Sequence, residues 1–426
     1  MKSKKCVKLF LCCALGWMLA PGGHAFAGKL EVTTESALDA YERDTQEEES
    51  VTLLPFSEYL GVNYESDIEG LSFHGYGWGR VNLGQDGYYE DEADGQFLYG
   101  YLEYRAAAYN ARMMLGRYQM FSGVSNESVD GVSLQAPLGA IFDFSLYGGS
   151  PVSMTEDGRN GDSIVGGRLA NFRPGLYELG VSYKLVRNDS RDYDEKAGVD
   201  LSLDLPYRVG VNGYSTWNLL TDGWAEHSYQ MQIPVSTFQI RPFFRLFQYD
   251  DYFSDNEESP NPFKYLAGTG EELTTIGAEL DWFGAESYEV NLKAKNIDYD
   301  LQDETSQYYS GMVIKHLEDM CQVGLELGVM VGDIPENKYQ LGRAFVYWDK
   351  LPESMPLEFI SSDLVFVNYD EDIYNQGSST FISLGAGRSF LDKALDMKFA
   401  VDYSRDPYFD NDFRAKLIAE YTFGKE

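Results

Sequence analysis

Acid–base and nucleophilic catalysis need a histidine, cysteine or carboxylate held beside a partner. Beyond residue 27 the sequence offers three histidines, His74, His227 and His316, and one cysteine, Cys321. None of the histidines falls in a recognisable serine- or acid-containing hydrolase motif. One cysteine and three scattered histidines make no zinc spacing, and there is no Cys-x-x-Cys-His for haem attachment. Gly75, Gly77 and Gly79 are spaced by two, which is strand spacing rather than a phosphate loop. No catalytic residue, metal or cofactor is expected, and the chain is not expected to be an enzyme. Three acidic clusters offer hard oxygen ligands: Glu90 to Asp94, Asp250 to Glu258, and Asp370 to Asp372. Without EF-hand spacing they read as solvated loops.

The remaining candidates are charges at alternate positions of apolar-polar segments. Arg80, Arg105, Arg241, Arg245, Lys293 and Lys295, with Glu103, Glu178, Asp200 and Asp402, fall on the polar side of their segments. They are the expected pore-lining residues. Salt-bridge ladders within a wall are the plainer outcome. A charged constriction that sets ion preference is the functional one.

The elements that must position these charges are strands. Tyr177, Leu179, Val181, Tyr183 and Leu185 alternate with Glu178, Gly180, Ser182 and Lys184. Tyr288, Val290, Leu292 and Ala294 alternate with Glu289, Asn291, Lys293 and Lys295, and the pattern recurs from Leu71 to Phe423. Period two means one apolar and one polar face. Many segments run for about 9–13 residues, enough for a tilted bilayer crossing and longer than the strands of a soluble sandwich. Aromatic residues recur at segment ends, among them Tyr299, Tyr347, Trp348, Tyr403, Tyr421 and Phe423. Short links near 109–110, 136–139, 173–175, 206–207 and 284–287 alternate with longer polar ones. The longer links lie near 84–95, 122–129, 151–162, 187–196, 249–272, 369–378 and 404–411. Outer-membrane barrels sort their loops in this way. The expected fold is an all-β, transmembrane, antiparallel up-and-down β-barrel of about 16–20 strands, with 22 as an upper bound. Pro242 inside the segment Phe238 to Tyr249 predicts a bulge.

The ends and the composition set the compartment. Lys2, Lys4, Lys5 and Lys8, the apolar stretch to Ala20 and Ala25-Phe26-Ala27 form a secretory signal with cleavage between Ala27 and Gly28. Residues 1–27 are therefore expected to be removed. Residues 28–69 form an acidic periplasmic segment or lead-in strand, with 28–50 read as a solvated tail, and 70–426 form the barrel. The formal net charge of −34 excludes a nucleic-acid partner, which needs a basic face. Disorder is excluded by 44% hydrophobic and 15% aromatic residues.

In these features the chain resembles bacterial outer-membrane β-barrels of the porin type. The terminal segment carries the most specific likeness: Phe413, Ala415, Leu417, Ala419, Tyr421 and Phe423 alternate with Arg414, Lys416, Ile418, Glu420 and Thr422. Gly424, Lys425 and Glu426 follow where such barrels usually end on the aromatic residue itself. Leu115-Gly116-Arg117 with Asp130-Gly131-Val132 is similar to a strand and loop of several porin-like families, including alginate-export-like barrels. The resemblance implies the cell outer membrane of a Gram-negative bacterium, contact with lipid and lipopolysaccharide, and insertion by the barrel-assembly machinery. Many such barrels are trimers, which leaves a homo-oligomer open. The implied function is a channel for passive diffusion of small hydrophilic solutes or ions. The alternative is a non-conducting structural or binding barrel, either a sheath for an exported electron-transfer cytochrome or a surface-interaction protein.

Overall fold

The computed structural model of the chain describes residues 28–43, 51–89, 91–152, 162–188, 191–253, 270–285, 287–318, 320–352, 354–407 and 411–424. Among them, helix is confined to three-residue 3-10 turns and the short helix Tyr249–Phe253. Strands pair antiparallel in one 23-stranded sheet. The strand Gly28–Arg43 bonds on one side to Pro55–Ser66 and on the other to Asp412–Phe423, so that Ser36 faces both Glu58 and Ala419. The fold is an antiparallel up-and-down β-barrel. Counting Val51–Leu53 and Pro55–Ser66 as one broken strand gives 22 strands among the described residues. Closure pairs every strand on both sides, which leaves no bare edge of N–H and C=O groups.

Several features differ from the sequence expectations. Residues 28–43, read as part of a solvated tail, form a strand of 16 residues. Their carboxylates Glu31, Glu35 and Asp39 share one face, leaving Leu30, Val32 and Leu38 on the other. The rest of that tail, and the signal segment up to Ala27, lie outside the described residues; Gly28 opens the first strand. Pro242 causes no bulge. It keeps register with Ala278, and on its other side the rungs Met231–Pro242 and Gln232–Arg241 are absent while register resumes at Ile233 and Ile240. A proline has no N–H to donate, and the two skipped rungs accommodate it.

The sorting of links is weaker than the sequence suggested. At 122–129 the chain reverses within Gly123 and Val124, with Gly123 at φ 57°. At 369–378 it reverses within Tyr374 and Asn375, both at positive φ, the signature of a type I′ hairpin. Asn188 and Arg191 are register partners, so 187–196 is also mostly strand. Two of the aromatics at segment ends, Tyr299 and Tyr347, sit on the charged face, sharing strand parity with Lys295 and Arg343 respectively.

Contacts divide the chain into two units. The first comprises Met1–Gly100, Ile314–Leu327 and Gln340–Glu426. It contains the junction of the first and last strands, with Lys416 3.8 Å from Asp39. The second comprises Tyr101–Val313 and Gly328–Tyr339. It holds a packed cluster of Met114, Tyr118, Met120, Val129, Tyr147, Ile164 and Val186. All seven lie on the face that elsewhere carries charge, so this part of the wall is thickened by side chains.

Candidate functional site

The strand Tyr177–Asn188 shows how the faces are assigned. Leu179 and Val181 are exposed, while Gly180, Ser182, Lys184 and Val186 between and beyond them are buried. Parity carries through the continuous register to Leu146, Leu169 and Val199, all exposed. An apolar face on strands of 10 to 16 residues is solvated by hydrocarbon. No described helix is long and apolar enough to cross a membrane, and the crossing falls to the strands. The chain is an outer-membrane β-barrel. Trp217 and Trp224 meet edge to face at 4.9 Å on the apolar side, as interfacial aromatics do.

The opposite face collects the charges. In the second unit Glu103, 2% exposed, accepts hydrogen bonds from the Nε atoms of both Arg105 and Arg112. Arg112 reaches it a second time through Nη2 at 2.5 Å. The two arginines line a recess of about 690 Å³ together with Gln135, Asp143, Phe172 and Glu178. It lies where the strands run into the links Ala107–Tyr109, 139–141 and 174–176. Beside it Arg168 spans Glu178 at 2.7 Å and Asp200 at 2.5 Å. That pair crosses a whole strand, and Gly180 makes it possible: a Cβ there would strike both Asp200 and Arg168.

Further along, Arg241 bridges Glu279 at 3.0 Å and Asp281 at 2.7 Å, and Lys293 holds Glu279 from the next strand at 2.8 Å. Arg245 and Lys295 find no carboxylate among the described residues. They lie over the rings of Phe243 and Tyr308, at 5.5 and 5.3 Å.

Towards the other ends of these strands stands a closed knot. Lys184 lies 2.5 Å from Glu127 and 2.7 Å from Asp194; Lys196 lies 3.3 Å from Asp194. Lys184 and Asp194 are each 5% exposed. Lys196 also donates to the Tyr252 carbonyl at 2.7 Å, with its ammonium 4.9 Å from that ring. Asn218 donates to the Asp251 carbonyl at 2.5 Å. The helix Tyr249–Phe253 is thereby fixed to the wall, and burial with Glu226 nearby pushes the Tyr252 phenol above its ordinary value.

In the first unit Arg80 stacks on Tyr89 at 3.8 Å with Asp94 3.9 Å away. Asp402 stands in register with Arg414, but Arg414 pairs with Asp412 at 2.9 Å instead. Arg343 meets Asp363 at 2.5 Å. The ten expected residues thus fall into separate groups along one face: Glu103 with Arg105, Glu178 with Asp200, and Arg241 with Lys293 are brought together, while Arg80 and Asp402 stand apart. Sequence reading missed Arg112, Asp143, Arg168 and Lys184. Lys184 shares strand parity with Glu178, whereas Arg112, Asp143 and Arg168 lie on strands with no chosen residue and reach the same face only through register.

The histidines behave differently. His74 hydrogen-bonds Asn63 and Ser72, each at 2.9 Å. His227 Nδ1 lies 2.7 Å from the Ser215 hydroxyl on the apolar face, and that hydroxyl also meets the Tyr229 phenol at 2.5 Å. The pair could pass a proton. Ser215 and His227 are register partners, and the ladder bulges one rung further on, between Thr216 and Trp217.

No family model and no curated protein matches the chain. Solved structures do. The siderophore receptor PirA from Pseudomonas aeruginosa is 9% identical, with 92% of this chain and 80% of that one covered at a TM-score of 0.55. The P pilus usher (PapC) translocation pore is 9% identical, with 93% and 100% covered at 0.49. Acinetobacter baumannii OccAB3 is 10% identical, with 93% and 99% covered at 0.46. The likeness to PirA is one of fold.

Proposed function

We propose that this barrel is a porin-like channel through which small hydrophilic solutes or ions diffuse passively, with no chemical step. One observation carries the reading: the face opposite the lipid is lined with charges that the wall does not fully neutralise. Arg245 and Lys295 lack a carboxylate partner among the described residues, and Arg105 is 68% exposed beside a single shared carboxylate. Unpaired ammonium and guanidinium groups in a dry lumen would be prohibitively costly, so they require water. A closed barrel of this strand number encloses space for it. Charge of both signs along the wall would focus the field on passing ions.

The test is swelling of liposomes carrying the folded protein in iso-osmotic sugars of rising size. Swelling that falls off with solute size is expected. Protein that is folded by heat-modifiable gel mobility yet admits no sugar would overturn the reading.

A further inference from the structure

Resting on the channel reading, we propose that the recess beside Glu103 is a binding site for small zwitterions. Arg105 and Arg112 would take the solute's carboxylate and Asp143 its ammonium. The recess has about 690 Å³ of space, ample for a solute of this size. Its charges are separated rather than matched. Two guanidinium groups share one carboxylate, that of Glu103, which is nearly inaccessible to solvent. By engaging both Nε atoms it fixes the arginines in place. Among the described residues it leaves both Nη atoms of Arg105 and Nη1 of Arg112 without a carboxylate, a preorganised set of donors for a planar anion. Two strands along the same wall, Asp143 accepts from Gln135 Nε2 at 3.3 Å, and no cation neutralises it among the described residues.

The recess therefore has a surplus positive side and a surplus negative side. Arg112 and Asp143 stand two strands apart and two residues out of register, about 12 Å between their backbones at the usual strand spacings, with Gln135 on the strand between them. A 4-aminobutyrate-sized molecule spans the remaining gap, with Phe172 available to its methylenes. A simple anion would meet Asp143, and a simple cation would meet the arginines. A zwitterion satisfies both, and being neutral overall it is not repelled by a chain of net charge −34.

The experiment is calorimetric titration of the detergent-folded full chain with 4-aminobutyrate, butyrate and butylammonium, on wild type, Arg112→Gln and Asp143→Asn. The zwitterion should bind about tenfold more tightly than either singly charged analogue. Each variant should lose about tenfold for 4-aminobutyrate, with Arg112→Gln sparing butylammonium and Asp143→Asn sparing butyrate. Both substitutions touch half-solvated groups, and an unchanged urea midpoint confirms their folding. Butyrate binding as tightly as 4-aminobutyrate, or variants that bind it like wild type, would overturn the proposal. Potassium chloride conductance measured on the same preparations keeps the two readings apart. Conductance without zwitterion preference sinks this inference and spares the channel; preference without conductance does the reverse.

Discussion

The closed knot around Lys184 and the open recess around Glu103 are built from the same kinds of groups on the same face, and they do opposite things with charge. In the knot Glu127, Asp194, Lys184 and Lys196 satisfy one another, and the Tyr252 carbonyl takes a further donor. Nothing is left over for a solute, and the network fixes the helix Tyr249–Phe253 to the wall. In the recess one buried carboxylate is divided between two arginines, and donors remain. A barrel has no thick core, so its inner face must supply stability and, on the proposed channel reading, a solute path as well. Where charges balance and are buried, they stabilise the wall. Where they are unequal and exposed, they remain free to engage a solute, as the proposed channel requires.

Substitutions can break or sharpen this contrast. The largest effect is expected for Lys184→Met, which removes the ammonium between Glu127 and the buried Asp194, leaves Asp194 to Lys196 alone, and should cost roughly 3–5 kcal/mol. The urea midpoint of refolded protein, followed by gel mobility, checks this; an unchanged midpoint would mean the knot is not structural. Glu103→Gln should cost less, roughly 1.5–3 kcal/mol, because both arginines can turn to water. It should also release them, so the same titration should show weaker 4-aminobutyrate binding. Gly180→Val drives a side chain into the Arg168–Asp200 pair, for an expected overpacking cost of about 1–3 kcal/mol. Separating that pair should also raise cation preference, read as a shift in reversal potential. Arg187→Ala removes an exposed pair with Asp192 and should leave the midpoint where it was. A clear fall there would show that exposed pairs matter as much as buried ones, and the contrast would fail.

How much of this was legible follows from the periodicity. Alternation places Glu178 and Lys184 on one face and Leu179 and Val181 on the other without any structure, because a strand's period is fixed. The cross-strand partners were not legible: Arg168 reaches Asp200 over Gly180, and that depends on two registers at once. Hairpin ends misled for a physical reason. Beyond the hydrocarbon both faces meet water, so strands such as Ala111–Ser122 and Ser125–Leu138 carry polar residues on the outward side too, as in the Arg117–Asp130 pair at 2.8 Å. In sequence such a projecting hairpin looks like a polar loop. The strand Gly28–Arg43 was obscured in a similar way, because Thr34 and Ser36 interrupt its apolar face.

The central claim is that the charged face borders an open aqueous path. Single-channel recording in a planar bilayer, with potassium chloride on both sides, tests it most directly. The account predicts discrete conductance steps, each corresponding to insertion of a barrel. Folded, heat-modifiable protein that inserts and never conducts would contradict it.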